Sequence, residues 1–134
     1  MIVVDANVVA YTVLPGDKTD AALGVLSQDP EWVAPSLWRS EVRNVLATTS
    51  RLRGLSMENA LGAWRHATRL VLDAPVPGDT ARILRLSELV GASAYDCEYV
   101  ALAEALGLPF VTGDRQLAKR FPDLAVSLTD FVSP

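Results

Sequence analysis

The chain has 134 residues, 50% hydrophobic and 21% charged, which excludes a disordered protein and suffices to bury a core without disulfides or a structural metal. Its net charge of −4 opposes simple phosphate binding, yet ten of its twelve basic residues are arginine, the better bidentate phosphate ligand, and cations bound to acids would reverse their local charge. A single cysteine, Cys97, excludes an internal disulfide, and the opening MIVVDANVVAY reads as neither signal peptide nor membrane span, so a cytoplasmic protein is expected.

Ile2 to Val4 is a β-branched apolar run ending at an acid, which predicts a buried strand. A short helix follows through Val8 to Tyr11, broken at Pro15-Gly16. Asp17 is then expected to cap a helix reaching Ser27, with Ala21, Leu23 and Leu26 as its apolar positions. Trp32-Val33-Ala34 predicts a strand. Ser36 is read as the cap of a longer helix to Arg51, ended at Arg53-Gly54, and Ser56 as the cap of another from Met57 to Leu70. Val71-Leu72 predicts a third strand before the Pro75-Val76-Pro77-Gly78 turn. Helices are predicted from Asp79 to Val90, stopped by Gly91, and from Ser93 to Leu106, stopped by Gly107. Phe110 to Thr112 is a strand, Arg115 to Arg120 a short helix, and Leu124 to Ser127 a last strand. This alternation predicts one domain over residues 1–134: a three-layer α/β/α sandwich on a parallel sheet of four to five strands. Ligands of such sheets bind beyond the carboxyl ends of the strands where strand order reverses, which directs attention to Asp5 and to Thr112-Gly113-Asp114.

Four acids stand out. Asp5 follows the first strand and Asp114 the fourth, and both also suit helix capping. Asn7 and Thr112 are the polar neighbours able to support these carboxylates. Glu41 is one turn from Leu37 and from Val45, so it falls within the stripe formed with Trp38, Val42 and Leu46. A carboxylate on that face is costly unless it is paired or binds metal, and Arg39 and Arg43 point elsewhere. Asp96 lies three residues after Ser93, where it completes a variant capping box or holds a cation in the first helical turn. Carboxylates gathered without a cation would raise one another's pKa. Hard oxygen ligands suit Mg²⁺ or Mn²⁺, which activate water and stabilise a leaving oxygen in phosphodiester cleavage. No cysteine–histidine cluster exists to hold zinc.

The segments VVDANVV, PSLWRSEVRNVL, SAYDCEYVALAEALGLP and FVTGDRQLAKRF, in this order and spacing, resemble the PIN-domain family, and most closely the VapC-type toxins of toxin–antitoxin pairs. The resemblance covers nearly the whole chain. It implies a parallel sheet sandwiched by helices, binding of Mg²⁺ (or Mn²⁺) and endonucleolytic cleavage of RNA. It further implies an antitoxin partner, with a homodimer as the expected assembly and no membrane association. By motif, Asp5, Glu41, Asp96 and Asp114 resemble the family's four acids, serving both as metal ligands and in catalysis, with Asn7 and Thr112 in support. Cys97 stands where a small alanine is usual and is read as a small hydrophobe.

Other readings leave their marks on the sequence too. A haloacid-dehalogenase-like phosphatase also places an Asp after its first strand, but it needs a second Asp where this chain has Asn7, and a suitably placed lysine where only Lys18 and Lys119 exist. A non-catalytic binding module would share the fold but has no use for four acids, while a housekeeping RNA-processing nuclease would retain them. His66 lies opposite the Met57, Ala60, Leu61 and Trp64 stripe and is read as exposed. Trp38 and Trp64 are read as core or subunit contacts, and Arg51 and Arg53 as a charged helix end that could also guide RNA phosphates.

Overall fold

The computed structural model describes residues 1–133; Pro134, which the expected domain includes, lies outside them. Five strands form one sheet: β1 (Ile2–Val4), β2 (Trp32–Ala34), β3 (Val71–Asp73), β4 (Phe110–Thr112) and β5 (Ala125–Ser127). All neighbouring pairs are parallel, in the order β3-β2-β1-β4-β5. The register sets Val3 beside Val33 on one side and beside Phe110 on the other. Between the strands run α1 (Ala6–Val13), α2 (Thr19–Gln28), α3 (Leu37–Arg53), α4 (Met57–Leu70), α5 (Thr80–Val90), α6 (Ala94–Leu106) and α7 (Arg115–Arg120). An eighth helix, α8 (Leu128–Val132), follows the last strand. The α/β class and the five-strand parallel sheet agree with the sequence.

The chain steps from β1 through β2 to β3 on one side, then returns to lay β4 on the other side of β1. Right-handed crossovers therefore put α1 to α4 on one face and α5 to α7 on the other. In keeping with this, α1 contacts α2, α3 and α4, whereas α5 packs on α6, which lies over β1 and β4. The reversal falls between β1 and β4, so the carboxyl ends of these two strands open the crevice where such sheets take ligands.

All three residues of β1, β2 and β4 are buried, and all but Thr112 at the end of β4 are apolar. Edge strand β3 buries only Val71. Trp32, Trp38, Tyr99 and Phe110 are the largest fully buried side chains. Cys97 is buried among them, as a small hydrophobe should be. Gly91 and Gly107 end α5 and α6 in the left-handed conformation, at φ 70° and 66°, which explains why the predicted stops hold.

Three local expectations fail. Asp17 caps nothing: α2 starts at Thr19 after Lys18, and Leu23 is 44% exposed. Ser36 makes no side-chain cap because its own backbone is already helical, with Trp38 N–H bonded back to the Pro35 carbonyl. In α4 the inward face is Ala60, Ala63 and Ala67, while Met57 and Leu61 of the expected stripe are exposed. These small residues lie where α4 packs on α1 and α3, and Trp64 of the expected stripe is partly buried, stacked on Trp38.

Candidate active site

Asp5 sits where β1 becomes α1. Its Oδ1 accepts the Val8 N–H at 3.0 Å, so it is the helix cap that the sequence allowed. The same carboxylate does more. Its Oδ2 accepts from the Thr112 hydroxyl and, at 3.2 Å, from the Gly113 N–H at the end of β4. Thr112 is wholly buried, and its oxygen also accepts the Asp114 N–H at 3.0 Å. One threonine thus ties the ends of β1 and β4 together across the switch point. Gly113 permits this approach, since a Cβ there would come within 3.0 Å of Tyr11 Cε2 and 3.1 Å of Asn7 Cβ.

Burial of Asp5 raises its pKa from 3.8 to about 6, against the lowering effect of the Thr112, Val8 and Gly113 hydrogen bonds and with a small further push from the Glu41 charge. Three satisfied hydrogen bonds therefore do not compensate the lost water.

Glu41 lies on the line Leu37–Glu41–Val45 along the rim of α3's buried face of Trp38, Val42 and Leu46. It is half-buried and faces a cavity of about 620 Å³ rather than the core. The expectation that its neighbouring arginines are unavailable holds. The Arg39 guanidinium bonds both oxygens of Asp73, which also accepts the Trp38 indole N–H at 2.7 Å, and Arg43 lies over the Trp64 ring. Instead the Tyr99 hydroxyl donates to Glu41 Oε1 at 2.5 Å. Tyr99 is buried on α6 and stacks on Phe110 with ring centroids 5.7 Å apart, so its hydroxyl is rigidly aimed. Burial raises the Glu41 pKa despite this bond, and the Asp96 and Glu98 charges add to the rise.

Asp96 enters the same cavity from the first turn of α6. Its N–H donates to the Ser93 hydroxyl at 3.0 Å, so the cap and the site placement coexist. Its pKa is raised by burial first and then by the charge of Asp114, with Arg120 acting the other way. The raised carboxyl pKa values anticipated from crowding are present, but desolvation outweighs mutual repulsion in each.

The cavity wall thus carries Asp5, Glu41 and Asp96, joined by Asn7, Ser40 and Asn44. Asp114 is not on that wall. Its Oδ1 caps α7, accepting the Gln116 and Leu117 N–H groups at 2.9 and 3.2 Å. It reaches the site through its backbone bond to Thr112 and through its charge on Asp96. Among the described residues, no three Asp, Glu, His or Cys side chains are already clustered around one point suited to an ion. The acids are arrayed around a cavity rather than drawn together at its centre.

Sequence reading missed Tyr99, which looks like one more apolar position of a buried helix. The available signal was that a buried tyrosine hydroxyl needs a partner, and Tyr99 lies one turn beyond Asp96 on the same face. Ser40 and Asn44 also line the cavity and carry no signal in the sequence that sets them apart from other exposed polar helix residues. His66 is exposed and lies away from this cavity, as read.

Comparison with known proteins adds four findings. The family model described as PIN domain matches residues 2–122. The chain is 34% identical over 127 residues to Ribonuclease VapC3 of Pyrobaculum aerophilum, covering 92% of this chain and 96% of that protein. It is 36% identical over 121 residues to Ribonuclease VapC9 of Mycobacterium tuberculosis, covering 88% and 89%. Among solved structures, PAE2754 from Pyrobaculum aerophilum shares the fold with a TM-score of 0.77 at 20% identity, covering 98% of this chain and 93% of that one.

Proposed function

The chain belongs to the PIN-domain family, and from that premise we propose that it is a metal-dependent endoribonuclease, the toxin of a toxin–antitoxin pair. The observation that carries the reading is the single cavity at the β1–β4 switch point, walled by Asp5, Glu41 and Asp96, each with its proton affinity raised. Relatives of similar length named as VapC ribonucleases support the same activity.

The donor set fits a hard divalent cation, Mg²⁺ or Mn²⁺. It is all oxygen, and among the described residues none of the three acids is ion-paired, the only positive charge felt being that of Arg120 on Asp96. Asp5, Glu41 and Asp96 would hold such an ion, with Asp114 at the margin. Bound there, it would supply Lewis-acid polarisation of the phosphodiester and a more acidic water.

The chain's own residues prepare the site. Asp5 is fixed by Thr112, Gly113 and Val8, so it is the rigid member. Tyr99 holds Glu41 toward the cavity. Asn7, Ser40 and Asn44 add uncharged polar groups able to hydrogen-bond sugar and phosphate oxygens. The net charge of −4 suits a basic antitoxin segment as partner. No described helix is long and apolar enough to cross a membrane, and the one cysteine, free and buried, needs no oxidising compartment; we place the enzyme in the cytoplasm.

Purified protein incubated with a panel of structured RNAs tests the proposal. Cleavage with Mg²⁺ or Mn²⁺ that chelator abolishes is the expected result. Cleavage undiminished in chelator would overturn the metal-dependent mechanism. Separately, co-expression with a protein encoded beside this gene should yield an inhibited complex; free, active enzyme in its presence would remove the toxin assignment while leaving the nuclease.

A further inference from the structure

Resting on that nuclease reading, we propose that a single RNA strand leaves the acid cavity along helix α3 and is anchored by a phosphate contact at Arg53, at the far end of that helix.

A second concavity of about 380 Å³ lies against α3, lined by Asn44, Val45, Thr48, Thr49, Leu52 and Arg53. It shares Asn44 and Val45 with the acid cavity, so the two adjoin along the helix. Ser40, Asn44 and Thr48 recur every fourth residue and therefore stand in one line on the helix surface. At 1.5 Å per residue, the course from Ser40 to Arg53 is about 20 Å, room for a few nucleotides.

The chemistry changes along this course. Its first part carries the acids, which repel phosphate until a cation neutralises them. Its second part has no carboxylate, and it ends at an arginine without an ion-pair partner among the described residues. Arg39 and Arg43, on other faces of the same helix, are occupied by Asp73 and by Trp64. The side chains of Ser40, Asn44 and Thr48 make no hydrogen bond within the described protein, whereas the Thr49 hydroxyl is spent on the Val45 carbonyl at 2.7 Å. Free small polar groups leading to a free guanidinium match a sugar–phosphate backbone. At the opposite lip Tyr95 lines the acid cavity with 63% of its surface exposed, a platform for an unpaired base. Stacking of that kind needs a single strand.

The test measures binding apart from cleavage. A fluorescein-labelled single-stranded RNA decamer is titrated, with Ca²⁺ in place of Mg²⁺ to keep the acids neutralised, against the wild type and against protein carrying Arg53→Gln or Arg85→Gln. Arg85 is exposed on α5 and lines neither cavity, so it controls for net charge. Loss of one phosphate contact should weaken binding about fivefold at 0.1 M salt and flatten the log–log salt dependence by about 0.7, with Arg85→Gln changing affinity less than twofold. Tyr95→Ala should weaken binding about tenfold and Tyr95→Phe should not. Equal effects of Arg53→Gln and Arg85→Gln, or no binding of the decamer, would overturn the path. Wild-type cleavage is assayed alongside. RNA cut by the wild type with no Arg53 effect condemns the path alone, and an Arg53 effect without any RNA cut condemns the nuclease reading alone.

Discussion

Asp5→Asn is the most informative perturbation, because it sets desolvation against hydrogen bonding at one buried atom pair. The Asp5 pKa rises from 3.8 to about 6 on folding. A shift of about two units costs the folded, metal-free protein about 3 kcal/mol once the group is ionised in both states. The sign follows from the direction. With the folded pKa raised, stability is fully present below the unfolded value and is lost as pH rises through the folded one. By the same linkage about 2 kcal/mol of this loss falls between pH 4.5 and 8. Asparagine removes the titration but keeps the Val8 cap, since its oxygen accepts as well. It does not reproduce the acceptor facing Thr112 and Gly113, which costs about 1 kcal/mol. In chelator, Asp5→Asn should therefore match the wild type near pH 4.5 and exceed it by about 2 kcal/mol at pH 8. For a chain of this length that is about 8 °C in melting temperature. Thermal or urea unfolding of both proteins across this range measures the difference, and acids titrating equally in both cancel from it. A difference independent of pH, or a wild type more stable at pH 8, would refute the desolvation argument.

Other substitutions separate the roles of neighbouring groups. Tyr99→Phe keeps the ring on Phe110 and removes only the bond to Glu41, so kcat for RNA cleavage should fall about tenfold while stability changes by about 1 kcal/mol; unchanged kcat would show that Glu41 needs no holding. Thr112→Val severs the link from Asp5 to the Asp114 N–H and should cost about 1–3 kcal/mol in denaturant unfolding. Asp114→Asn retains the α7 cap and deletes the charge. Stability should hold within about 0.5 kcal/mol, and a kcat loss larger than that of Tyr99→Phe would place Asp114 in the chemistry despite its position off the cavity wall.

Much of this was legible in the sequence because local signals and the overall pattern agree. Short β-branched runs alternating with capped helices gave the parallel sheet, and acids after two of those runs marked the switch point. Glu41 was visible as a charge out of place in an apolar stripe. What escaped is chiefly tertiary. Whether Asp96 faces the cavity while Asp114 turns to its helix depends on the packing of α6 and α7, and an acid at the start of a helix looks the same in both cases. Asp5 shows that cap and site are compatible, so weighing them as rivals posed the wrong choice. The Tyr99–Glu41 bond joins residues 58 apart and has no local trace. Helix α8 did carry a signal: Ser127 accepts from the Asp130 N–H in the same Ser-x-x-Asp pattern that opens α6. Its five residues offer no periodicity to reinforce that pattern.

Metal-induced stabilisation tests the common site most directly. Melting temperatures of the wild type, Asp5→Asn, Glu41→Gln and Asp96→Asn are followed as Mn²⁺ is added at pH 7. Binding to the native state alone stabilises it by RT ln(1 + [L]/Kd), about 2.7 kcal/mol at a hundredfold excess over Kd. If the three carboxylates hold one ion, the wild type rises by about 10 °C and each substituted protein rises by much less. Equal rises in all four proteins would mean that the ion binds elsewhere and that the cavity is not a metal site.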